Sequence, residues 1–168
     1  MNLFFLRHGV AVERDPKSFP DDSRRPLTLN GEDRMRLVCD ALQALELSFD
    51  VILASPFLRA RQTAEIVAGS LGLRRVLEFR EELAPAGDIP ALLRYVNRIS
   101  PRPENVLLVG HEPDLSQLLS TLISGEPAAE IDLKKNGLAK IEVTDRLKLG
   151  RCATLNWLLT PRQLALLT

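Results

Sequence analysis

Short unbroken apolar runs alternate along this chain with longer stretches in which apolar side chains recur every three or four residues. Leu3-Phe4-Phe5-Leu6, Val51-Ile52-Leu53-Ala54 and Val106-Leu107-Leu108-Val109 are the unbroken runs, the pattern of strands covered on both faces. Met35, Val38, Leu42 and Leu45 step at helical spacing behind Asn30, a candidate cap. Ala60, Ala64, Val67 and Leu71 repeat that spacing behind Ser55 and Pro56, which read as cap and first helical residue, and Gly72 ends the helix. A short strand is predicted over 76–79, followed by a loop over 80–87. Asp88 then caps a helix that faces inward through Ile89, Leu92, Leu93 and Val96. Behind the strand 106–109, a helix opening at Pro113 buries Leu115, Leu118, Leu119 and Leu122.

The pattern changes in the tail. Ala139, Ile141 and Val143 alternate with Lys140 and Glu142, and Ala153, Leu155, Trp157 and Leu159 alternate again, as two late strands in a hairpin at the sheet edge would. Residues 13–26 are polar, hold three of the eleven prolines, and read as one long loop of the kind that carries function. Repeated strand-helix-strand units predict a three-layer α/β/α sandwich, its sheet mostly parallel with an antiparallel edge. Ligands bind such sheets at the carboxyl ends of the strands. A length of 168 residues with no linker or repeat predicts one domain, 1–168.

Composition narrows the classes. Lys+Arg and Asp+Glu balance at 22 each and aromatics are 5%, so neither a nucleic-acid nor a membrane-surface partner is indicated. The apolar run ahead of Arg7 is too short for a signal peptide or a membrane span. Cys39 and Cys152 make no disulfide framework and fit a reducing, cytoplasmic compartment as structural thiols. Neither is followed by arginine at the sixth position, where Leu45 and Leu158 stand, which excludes a cysteine-nucleophile phosphatase loop.

The chemistry lies where the strands end. The chain's two histidines follow two of the apolar runs, each after one intervening residue, in Arg7-His8-Gly9 and Gly110-His111-Glu112-Pro113, and Arg59 lies just beyond the third. Arginine forks suit the charged equatorial oxygens of a phosphoryl group in transfer, and a neutral imidazole is a competent nucleophile toward phosphorus. Neighbouring arginines keep an imidazole neutral, the helix start near Arg59 adds to the same field, and His111 is placed to donate to a phosphoryl oxygen. Singly, His8 is an ordinary core histidine, Arg59 a solvated helix residue beside Arg61, and His111 a helix cap; three such roles at three equivalent strand ends are a poorer account. Glu81 and Glu82, in the loop after the strand over 76–79, are either a general acid or a solvated pair. Arg24 and Arg25 either extend the phosphate pocket or solvate the long loop. With both histidines so committed, neither a metal site nor a cofactor is expected.

The Arg7-His8-Gly9 start, the run Ser55-Pro56-Phe57-Leu58-Arg59-Ala60-Arg61-Gln62-Thr63-Ala64, and Gly110-His111 together resemble the three motifs of the histidine phosphatase superfamily, in order and across nearly the whole chain. Arg25-Pro26-Leu27-Thr28-Leu29-Asn30-Gly31 and Glu82-Leu83-Ala84-Pro85-Ala86-Gly87-Asp88 look like segments of its SixA-type phosphohistidine phosphatases. The resemblance implies a phosphoglycerate mutase-like fold. It implies His8 as nucleophile, Arg7, Arg59 and His111 as the phosphate pocket, and Arg25 as a substrate contact, with Glu82 near where relatives place a carboxylate. Val10-Ala11-Val12-Glu13 stands where mutases carry Asn and Ser, which argues against a mutase. The expected activity is removal of phosphate from a phosphohistidine on a partner protein, such as a histidine phosphotransfer domain, through phospho-His8. A small-molecule phosphomonoesterase of the same superfamily and a non-catalytic phosphoprotein-binding module are the alternatives.

Overall fold

The three apolar runs become central strands of one six-stranded sheet in the structure, a computed structural model that describes residues 1–168. The elements follow as β1 (Asn2–Arg7), α1 (Leu29–Ala44), β2 (Val51–Ala54), α2 (Leu58–Ser70), β3 (Leu77–Phe79), α3 (Ile89–Arg98), β4 (Asn105–Gly110), α4 (Asp114–Ser124), β5 (Leu138–Val143), β6 (Ala153–Leu159) and α5 (Pro161–Leu164). Strand order is β3-β2-β4-β1-β5-β6. The first four are parallel, while β5 runs antiparallel to both β1 and β6. No helix is long and apolar enough to cross a membrane.

Period-two alternation divides the runs between two cores. Phe5, Leu53, Leu108 and Ile141 pack with Leu92, Val96, Leu115 and Leu119 of α3 and α4. Phe4, Leu6, Ile52 and Leu107 pack on the other face with Met35, Leu42, Ala64 and Val67 of α1 and α2, joined by Leu164 of α5. Helices thus cover both faces, as the three-layer reading predicts.

Three local expectations need correction. Thr28, not Asn30, caps α1: its Oγ1 accepts from Gly31 N–H at 3.0 Å, while Asn30 lies inside the helix and accepts from Arg34 Nε. Thr28 is held two residues earlier because its own N–H donates to the Val10 carbonyl at 2.9 Å. Gly31 permits this closeness, since a Cβ there would lie 2.0 Å from that carbonyl oxygen. Second, α2 begins at Leu58 rather than Pro56, with Phe57 as a cap that makes no side-chain bond. The Ser55 N–H still donates to the Val109 carbonyl, so the chain leaves the sheet one residue late.

Third, β6 does not alternate throughout. The register against β5 slips between Lys140 and Ile141, where Trp157 and Leu155 are the successive partners and Asn156 is extra. A single inserted residue reverses the phase. Ala153 therefore joins the α3/α4 core, while Trp157 and Leu159 pack against the α1/α2 core. Leu155 is left 40% exposed. The sequence pattern also passed over α5, a short turn closed by the reciprocal Thr160–Gln163 capping box.

These placements predict unequal costs for like substitutions. Leu119→Ala, wholly buried on α4, should destabilise by about 2–5 kcal/mol, whereas Leu155→Ala should cost no more than about 0.5 kcal/mol. Urea unfolding midpoints of the two variants check this.

Candidate active site

The parallel strands deliver their carboxyl ends to one edge of the sheet. His8 follows β1, Ser55 follows β2 and His111 follows β4, and the His8 N–H continues the ladder to the Gly110 carbonyl at 3.1 Å. The two imidazole centroids are 5.1 Å apart. They line a cavity of about 360 Å³ with Arg7, Arg25, Arg59 and Asp22, completed by Arg14, Lys135, Glu112 and Pro85. No hydrophobic residue is among them, and five cations face two carboxylates, a field made for an anion.

Hydrogen bonding decides the state of His8. Its Nδ1 lies 2.7 Å from the Gly9 carbonyl, which can only accept, so Nδ1 carries the proton. Nε2 is left with its lone pair and accepts from Arg59 Nε at 3.3 Å. Thr63 braces this turn: its Oγ1 accepts from Gly9 N–H at 3.0 Å and donates to the Arg59 carbonyl at 2.7 Å. Burial pushes the His8 pKa down from 6.5 to about 3, and the charges of Arg59, Arg7 and Lys135 add to it against the opposing Gly9 carbonyl. His111 is pushed down to about 3 as well, by burial first and then by His8 and Arg59. Both rings are neutral at ordinary pH.

The arginines are held from two sides. Arg59, in the first turn of α2, is 4% exposed. Its Nη1 donates to the Asp22 carbonyl at 2.8 Å and its Nη2 to Asp22 Oδ2 at 3.0 Å. Arg25 Nε donates to the other Asp22 oxygen at 3.0 Å, and its Nη1 to the Val12 carbonyl at 2.7 Å. Partial burial draws the Asp22 carboxyl upward, but Arg25 and Arg59 outweigh it and hold the group below its usual range. Arg7 Nη1 donates to the Leu133 carbonyl at 3.0 Å. Arg7 Nε and His111 Nδ1 are buried with no partner in the chain. Two unpaired nitrogens on cavity-lining residues are what an oxyanion would satisfy. No group of three or more His, Cys, Asp or Glu side chains is arranged to hold a metal ion.

The structure thus brings together His8, Arg7, Arg59, His111 and Arg25. Arg24 faces a separate hollow with Phe19, and Glu81 is exposed. Glu82, named above as a possible acid, is not among the cavity residues; its Oε1 accepts from Arg80 Nη2 at 2.7 Å. Burial raises its carboxyl, yet the Arg80 bond prevails and holds it below the usual range, so Glu82 is ionised and bonded to Arg80. Arg80 itself stacks on Tyr95, 3.7 Å from the ring centroid, which fixes the pair. Asp22, Arg14, Lys135 and the brace Thr63 were not singled out from sequence. Of these only Asp22 left a signal, its i,i+3 spacing to Arg25 within the long loop.

Comparison with known proteins shows which family the chain belongs to. A profile of the histidine phosphatase superfamily (branch 1) matches residues 3–84. An uncharacterised protein of Picosynechococcus sp. is 42% identical over 140 residues, 82% of each chain. Phosphohistidine phosphatase SixA of Escherichia coli is 38% identical over 127 residues, 75% of this chain and 76% of that one. The structure of a protein histidine phosphatase SixA complexed with tungstate superposes with a TM-score of 0.81 at 31% identity, covering 98% of this chain and 99% of that one. With a third or more of its residues shared across three quarters of its length, the chain belongs to the histidine phosphatase superfamily, as a SixA-like phosphatase.

Proposed function

We propose that this phosphatase hydrolyses phosphohistidine on a partner protein, such as a histidine phosphotransfer domain, with His8 as the nucleophile. The observation that carries the reading is the buried, neutral His8, whose proton is committed to the Gly9 carbonyl and whose Nε2 lone pair stands among arginines. Nε2 attacks phosphorus in line, forming one P–N bond as the P–N bond to the substrate imidazole breaks. The substrate ring, protonated at its other nitrogen, leaves as neutral imidazole, and the positive charge passes to phospho-His8, which keeps its Nδ1 proton. Arg7, Arg59, Arg25 and the His111 ring hold the phosphoryl oxygens through the transfer. Water then attacks phospho-His8, releasing inorganic phosphate and restoring the lone pair.

Exchange of one P–N bond for another asks for little proton donation, because imidazole leaves far more readily than an alkoxide. That fits a site in which Asp22 is held ionised by Arg25 and Arg59, while Glu82 lies outside the cavity and is held ionised by Arg80. The likeness to E. coli SixA, a phosphohistidine phosphatase, and to a SixA bound to the oxyanion tungstate supports the same substrate class and the same pocket.

Phosphate release from a phosphorylated histidine phosphotransfer domain, run beside phosphoserine peptides and sugar phosphates, tests the reading. Fast release is expected from phosphohistidine, none in His8→Ala, and a loss of roughly 10²–10³-fold in kcat in Arg59→Ala with residual phosphate binding. Full activity in His8→Ala would sink the mechanism; release from the small esters alone would move the substrate to metabolism.

Acid behaviour gives an independent check. In the unfolded chain both histidines take up protons near 6.5, while in the folded chain they resist until about 3. Their contribution to stability is complete above 6.5 and is lost progressively as pH falls toward 3. NMR titration should therefore show neither ring protonating between pH 8 and 5 while the urea midpoint declines below pH 6.5. A histidine inflection near 6.5 in the folded protein contradicts the buried neutral site.

A further inference from the structure

We infer that Ser55 is a positioning residue: its hydroxyl fixes the tautomer of His111 and makes that ring a hydrogen-bond donor to the bound phosphoryl group. The inference rests on reading the cavity as a phosphoryl site and adds the residue that prepares one of its walls.

Ser55 is wholly buried just past the end of β2. Its Oγ has two polar neighbours, the Phe57 N–H, which donates to it at 3.2 Å, and His111 Nε2 at 2.8 Å. A backbone N–H cannot accept, so the hydroxyl proton has one acceptor within reach, His111 Nε2. Were Nε2 itself protonated, Oγ would accept twice and its own proton would be buried without a partner, an arrangement that proteins avoid. Nε2 therefore accepts. The proton of the neutral ring sits on Nδ1.

That nitrogen is the buried atom of His111 with no partner in the chain, on a residue that lines the cavity beside His8. As Nδ1–H it donates to a phosphoryl oxygen; in the other tautomer it would set a lone pair against an anion. The two histidines are thus prepared by opposite means. A carbonyl takes the His8 proton from Nδ1 and frees Nε2 to attack, whereas a hydroxyl occupies His111 Nε2 and leaves Nδ1–H to bind. Neutrality of His111 is what allows a tautomer to matter, and burial beside His8 and Arg59 supplies it.

The test reads the ring nitrogens directly. With only two histidines in the chain, ¹⁵N spectra at neutral pH are assigned by comparison with His8→Ala. The wild-type protein should show His111 Nδ1 as pyrrole-type and Nε2 as pyridine-type. In Ser55→Ala, molecules with protonated Nε2 should appear, and the dissociation constant for inorganic phosphate should rise roughly 10- to 100-fold. Ser55→Thr, which keeps the hydroxyl, should restore both, separating loss of the proton donor from damage to β2. A pyridine-type Nδ1 at His111 in the wild-type protein overturns the inference whether or not any variant folds. So does a folded Ser55→Ala with unchanged ring shifts and phosphate affinity. Neither readout uses a phosphohistidine substrate, so the failure of this inference and the failure of the proposed activity are separate results.

Discussion

The site depends on the parallel pairing of β1 with β4. Arg7 lies opposite Gly110 in that register, so the next residues out, His8 and His111, leave the sheet side by side. A one-residue slip would turn either side chain to the opposite face of the sheet. The slip is prevented by the two cores, because Leu3 and Phe5 are buried on one face and Phe4 and Leu6 on the other. Hydrophobic packing far from the cavity thus sets the distance between its two imidazoles.

That packing also maintains an electrostatic tension. Several guanidinium groups surround two histidines in a small space, and the rings stay neutral rather than add to the charge. Asp22 relieves part of the repulsion by bonding Arg59 and Arg25 at once. Because Asp22 belongs to the long loop and Arg59 to α2, the same bonds tie that loop to the helix. The setting of His8 and the placement of the loop share one set of contacts.

Much of this was legible along the chain. Unbroken apolar runs identified the central strands, since strands covered on both sides have no polar face to reveal. The residues that follow those runs identified His8, His111 and Arg59, because parallel topology sends strand ends to one edge. What escaped depended on contacts across the fold. The cap of α1 is Thr28 because Val10 holds it there, and the start of α2 is late because Ser55 stays with the sheet. The extra residue at Asn156 has no local signature, so the alternation of β6 misled. Glu82 looked like an acid in sequence; Arg80, two residues earlier, claims it only once the chain folds around Tyr95.

Gly31 carries a consequence out of proportion to its size. The Val10 carbonyl that would collide with any Cβ there belongs to the segment directly after His8 and Gly9. Even alanine at 31 would wedge the first turn of α1 away from that segment, and the displacement would reach His8 through two peptide units without altering a single charge. An atom that is missing from the side chain is, in this sense, part of what shapes the cavity. A survey of variants sorted by acid, base or nucleophile would pass over position 31, although geometry makes it one of the least replaceable in the chain.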